Sequence, residues 1–112
     1  MGQIKDLDGK VRFVLEHYPD TRNSDIRLTQ VIWYVYCKDK VQFIGDEAVV
    51  ALKDMYELPR EDNVKRIRAK IQNEEHLFVP TVWEVAKRRG MKEDDWRGYL
   101  GKGIAGVDNQ HL

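Results

Sequence analysis

The stretch TRNSDIRLTQVIWYVYCKDK, residues 21–40, decides the fold because it can be read in two ways. Its second half, Val31 to Cys37, is an unbroken apolar run rich in β-branched and aromatic types, the composition of a buried strand. Its first half argues for a helix. Thr21, Asn23 and Ser24 are all residue types that cap helix N-termini, and Asp25 follows where the positive end of a helix dipole favours an anion. Length and the capping cluster favour a buried helix from about Ser24 to Cys37, and with it an all-α domain.

Upstream, DLDGKVRFVLEHYPD (6–20) spaces Val11, Val14, Leu15 and Tyr18 as one helical face, ended by Pro19. Downstream, VQFIG (41–45) reads as a short connection or strand. DEAVVALKDMYELP (46–59) reads as a helix with acids first and a stripe of Val49, Leu52 and Tyr56, closed by Pro59. REDNVKRIRAKIQNEEH (60–76) gives the next helix, about Glu61 to Glu74. LFVPT (77–81) is extended, since the residue before a proline is pushed out of the α region. Thr81 with Glu84 forms a capping box for the helix in TVWEVAKRRG, and Gly90 stands where a left-handed C-cap belongs. MKEDDWRGYL (91–100) is a short amphipathic turn or helix presenting Trp96, Tyr99 and Leu100.

These elements predict a single domain over 1–100 and a flexible tail over 101–112. Four to five helices form a small bundle around Phe13, Val14, Trp33, Val35, Leu52, Ile67, Ile71 and Trp83. Segments 46–56 and 61–73 make a helix-turn-helix-like pair, and FVPT serves as a rudimentary wing.

Composition limits the function classes. The chain has 112 residues, 42% hydrophobic and 34% charged, with a formal net charge of zero, which counts against binding driven mainly by bulk positive charge. The charge is uneven: residues 1–58 carry 8 basic and 10 acidic side chains, and residues 59–112 carry 11 and 9. No apolar run approaches the roughly 20 residues that span a bilayer. The start of the chain lacks an apolar signal region, and Met-Gly is not followed by the Ser or Thr of a myristoylation signal. A lone Cys37 fits a reducing compartment, so a cytoplasmic protein with no membrane partner is expected. His17, His76 and His111 lack helical ligand partners, and GKG (101–103) is too short for a phosphate loop. No metal, cofactor or catalytic residue is therefore expected, and the chain reads as a non-enzyme.

The strongest functional signal is the segment from Arg60 to Gln72, with five cations against two acids. At about 100° per residue, Val64, Ile67 and Ile71 form a narrow apolar seam, flanked by Arg68 and Gln72. Lys65, Arg66, Ala69, Lys70 and Asn73 lie opposite. Cations and amides around a small alanine are the residue types of a major-groove helix. On this reading Lys65, Arg66, Lys70, Gln72 and Asn73 face double-stranded DNA, while Arg60, Lys87, Arg88 and Arg89 hold its phosphates. A zero-charge chain would act as a homodimer. The competing reading is a solvated face, with Lys87, Arg88 and Arg89 balancing the negative end of their own helix. Glu61 and Asp62 support it, because carboxylates at the helix start repel phosphates. The alternative function is a protein-binding module, an inhibitor or adaptor acting on a host complex.

Three stretches, YPDTRNSDIRL, VKRIRAKIQN and LFVPTVWEVAKRRG, carry a family likeness. Through Thr21-Arg22-Asn23 with Asp25, and Arg68 with Lys70-Ile71-Gln72, residues 13–97 resemble small helical proteins encoded by bacteriophages and prophages. The resemblance implies a phage setting and a helix-turn-helix-like fold, and no particular activity. Glu61-Asp62-Asn63 departs from it, standing where relatives begin the basic helix with a Ser- or Pro-containing cap.

Overall fold

The computed structural model describes residues 6–101. The expected tail lies, from residue 102 onward, outside the described residues.

Helix α1 (Leu7–His17) begins where the Asp6 side chain accepts from the Gly9 amide at 3.0 Å, and it buries Val11, Val14 and Leu15. A 3-10 turn over Pro19–Asn23 leads to helix α2 (Asp25–Tyr36). The ambiguous stretch is thus a helix. Ser24, in an extended conformation, accepts from the Arg27 amide at 3.2 Å and fixes its start. Helix α3 (Glu61–Asn73) completes a three-helix core in which each of α1, α2 and α3 packs on the other two. Its centre is Val11, Val14, Leu15, Leu28, Val31, Ile32, Val64, Ile71 and Phe78. Truncating one of its larger aliphatic side chains to alanine costs about 2–5 kcal/mol in cores of this kind.

The end of α3 is set by His76, whose φ of 59° is the left-handed geometry of a helix C-terminus. The Leu77 amide donates back to the Ile71 carbonyl at 3.2 Å, and Leu77 turns onto the core. Arg12 of α1 holds the same corner, donating from both terminal nitrogens to Glu75 at 2.7 Å each and from Nε to Asp8 at 2.6 Å. Two short helices, α4 (Trp83–Arg88) and α5 (Glu93–Tyr99), pack through Val79, Ala86 and Trp96, with the Trp96 indole donating to the Pro80 carbonyl at 2.6 Å.

Several expectations are corrected. The segment 46–56 is not a helix. Strands β1 (Val41–Ile44) and β2 (Glu47–Val50) form an antiparallel hairpin, Val41 opposite Val50 and Ile44 opposite Glu47. Gly45 and Asp46 make its two-residue turn, and Gly45 has the φ of +63° that such a turn requires of its first residue. A 3-10 helix over Leu52–Glu57 follows and buries none of its residues. The domain is therefore mostly helical with a small sheet, not all-α. The helix-turn-helix-like pair is not formed, because only a single 3-10 segment and no α-helix leads into α3. Leu52, placed in the core by its spacing, is 81% exposed.

The segment FVPT forms no strand. Phe78 has φ of 48°, which breaks any extended ladder, and Val79 and Pro80 are buried under α5. The Thr81–Glu84 capping box is also absent: α4 has no cap from its own chain segment. Asn23 fills that role from across the domain. Its Oδ1 accepts from the Thr81 and Val82 amides at 2.8 and 3.3 Å, and its Nδ2 donates to Thr81 Oγ1 at 2.7 Å.

Candidate interaction surfaces

Sequence spacing sets Arg68 and Gln72 beside the apolar seam of α3; in the folded chain they lie inside it. The buried stripe of α3 is Val64, Arg68, Ile71 and Gln72, with Ile67 at its edge. Polar groups on the 3-10 turn and α2 make this possible. Asp25 accepts from Arg68 Nε and Nη2 at 2.8 Å each, a paired geometry that satisfies both partners. Gln72 Nε2 donates to the Phe78 carbonyl at 2.8 Å and the Arg22 carbonyl at 3.3 Å. Arg22 in turn donates from Nε to the Leu15 carbonyl at 2.6 Å, and from Nη2 to the Glu16 carbonyl at 3.2 Å. Arg89 closes the network, donating from Nη1 to the Arg22 carbonyl at 2.7 Å and to Gln72 Oε1 at 3.0 Å.

Two members of the expected DNA-binding set are thereby turned inward. Gln72 is fully buried and Arg89 is half-buried, both held by the carbonyl of Arg22. Burial pulls the Arg89 guanidinium down to about 10, with repulsion from Arg68 and Arg88 adding to it and Asp25 opposing; it stays charged at neutral pH. Burial also works against the Asp25 carboxylate, but the Arg68 hydrogen bonds and the charges of Arg68, Arg89 and Lys65 outweigh it. The carboxyl is held below its usual range.

The other expected residues are exposed: Lys65, Arg66, Lys70 and Asn73 on α3, Lys87 and Arg88 on α4, and Arg60 before α3. Lys65 and Arg89 both act on Asp25, and Arg88 acts on Arg89, so one flank of α3 and the end of α4 gather positive charge around a single carboxylate. Arg60 is partly neutralised by Asp62 at 3.7 Å.

A second surface was not anticipated. Of the ten exposed large hydrophobics among the described residues, eight fall in segments 26–34 and 43–56. Ile26 and Tyr34 lie on the outer side of α2, Phe43, Ile44 and Val49 on the hairpin, and Leu52, Met55 and Tyr56 on the 3-10 helix. The Phe43 ring meets the Tyr34 ring edge-on at 5.5 Å, which seats the hairpin on α2. Two grooves of about 600 and 610 Å³ result, one between α2 and the hairpin and one beside Trp33 and the 3-10 helix. Trp33 anchors that second side by donating from its indole to the Pro59 carbonyl at 2.8 Å. The sequence held a signal for this surface: Gly45-Asp46 between VQFI and EAVV is a two-residue hairpin turn.

Among the described residues, no group of His, Cys, Asp or Glu is arranged to hold a metal ion, and no helix is long and apolar enough to cross a membrane. No protein-family model matches the chain, and no curated protein or solved structure matches it.

Proposed function

We propose that this chain is a protein-binding module whose contact surface is the apolar strip over α2, the hairpin and the 3-10 helix. The observation that carries the reading is Tyr56 and Leu52, 95% and 81% exposed, standing among six further exposed apolar side chains. Contiguous exposed apolar area beyond a few hundred Å² marks interaction sites in proteins that fold alone. Aromatic and methionine side chains are the types enriched in such contacts. The test is capture of polypeptides from an extract of the source cells by the wild-type chain and by two variants. Leu52→Asp with Tyr56→Asp removes the captured polypeptide, and alanine at Lys65, Arg66 and Lys70 leaves it bound. Equal capture by all three chains contradicts the reading.

A second reading, a phage-type accessory or regulatory protein that binds duplex DNA, is favoured by one observation: the exposed Lys65 acts on Asp25 alongside Arg68 and Arg89, and the exposed Arg88 acts on Arg89. Lys65, Arg66, Lys70 and Asn73 would supply the contacts, with Lys87, Arg88 and Arg60 on phosphates. This mode of binding does not use a helix-turn-helix. Its affinity falls steeply with salt if several phosphates are engaged. Absence of duplex binding at low salt removes it.

A further inference from the structure

We infer that the occupant of the apolar strip is a second copy of this chain, with Tyr56 and Leu52 of each copy filling the groove between α2 and the hairpin of the other. The inference rests on the protein-binding reading and names its partner.

The strip carries both halves of an interface. Its projecting half is the 3-10 helix, where Tyr56 and Leu52 stand free of the body. Its receiving half is the groove of about 600 Å³ walled by Tyr18, Tyr34 and Phe43. On α2, Arg27, Val31 and Tyr34 line that groove. Ile26, Thr29 and Trp33 line the opposite flank with Glu61, where Trp33 also borders the groove beside the 3-10 helix, and Gln30 lines both sides. A two-fold axis through the outer face of α2 exchanges the halves, so that each projection of one copy meets the groove of the other. That is the condition for a closed pair.

Charge follows the same exchange. The receiving groove is rimmed by Asp46 and Glu47 at the hairpin turn, and its Arg27 is already engaged by Asp20 at 3.1 Å. The projecting half carries the exposed Lys53, and Arg60 beside its Asp62 partner at 3.7 Å. Of the acids beside them, Glu57 is drawn to Lys40 at 3.5 Å and Asp54 is half-buried. Lys53 of one copy is therefore set against Asp46 and Glu47 of the other.

The six exposed apolar side chains on α2, on the inner face of the hairpin and on the 3-10 helix amount to on the order of 700 Å², near the low side of the roughly 800 ± 200 Å² per partner typical of a standard stable interface. A hairpin of only two strands is marginal by itself. A partner in the groove, against Phe43 and Ala48 on its inner face, adds apolar cover to it.

The experiment is sedimentation of the full-length chain over a concentration series. The wild type is expected at twice the chain mass, and Tyr56→Asp weakens the pair by tenfold or more while leaving the thermal melt of the helices unchanged. Tyr56→Phe keeps it. Asp46→Lys with Glu47→Lys weakens the pair, Lys53→Glu with Arg60→Glu does the same, and the four changes combined restore it. A monomer throughout the series overturns the inference, as does a dimer indifferent to both Tyr56→Asp and the charge swaps. If the chain is a monomer but Leu52→Asp with Tyr56→Asp abolishes capture of a different polypeptide, the protein-binding reading stands without the second copy. If neither is seen, both fall.

Discussion

Asp25 is the residue on which the most geometry converges. It lies in the first turn of α2, accepts two hydrogen bonds from the buried Arg68, and feels Arg89 and Lys65. Removing one member of a buried pair leaves the other charge without its partner, which costs about 3–5 kcal/mol. Arg68→Ala is therefore expected to lower stability by that amount in urea denaturation, whereas Lys65→Ala changes it by about 0.5 kcal/mol or less. Asp25→Leu with Arg68→Met, which removes both charges and keeps the volume, recovers most of the loss. The acid response follows from the same pair. The Asp25 carboxyl is held below its usual value in the folded chain, so the unfolded chain binds more protons as pH falls. Its contribution is complete above the ordinary carboxylate value of about 3.9 and is lost as pH drops through the lower folded value. Asp25→Asn flattens that part of the stability-against-pH curve.

At the scale of elements, the hairpin and the α4 cap are the two features to test. Gly45 needs φ of +63°, where a β-branched residue is strained by about 1–2 kcal/mol. Gly45→Val is expected to speed amide exchange over Val41–Val50 and leave α1 to α3 protected. Asn23→Ala removes the acceptor for the Thr81 and Val82 amides, so exchange in α4 should rise, with a loss of about 0.5–2 kcal/mol. These elements also show what the sequence could reveal. The start of α2 was legible because its cap is local: Ser24 serves Arg27, three residues on. The hairpin was legible too, through Gly45-Asp46, but acids at 46–47 and the spacing of Val49, Leu52 and Tyr56 imitate a helix stripe equally well. The spacing misled because those side chains face outward. The caps and pairs that place Arg68, Gln72 and Arg89 were not legible, since their partners lie 43, 50 and 67 residues away along the chain. Charge alone marked Arg89 for the surface, and only the fold supplies the carbonyl that holds it.

The whole molecule presents two surfaces of different character. The basic flank of α3 and α4 lies on groups with local neutralisers, Asp25 and Asp62 among them. The apolar strip has no comparable cover among the described residues. If the flank binds a duplex, alanine at Lys65, Arg66 and Lys70 should reduce the salt slope by roughly one unit for each phosphate no longer held, without altering the thermal melt. Site-specific photo-cross-linking in the source cells separates the two surfaces most directly, with the reactive group at position 56 and, in a parallel chain, at position 66. A discrete cross-linked polypeptide is expected from position 56, lost on Leu52→Asp, and none from position 66. Cross-linking to nucleic acid from position 66, with nothing captured from position 56, would contradict the assignment of the apolar strip as the binding surface.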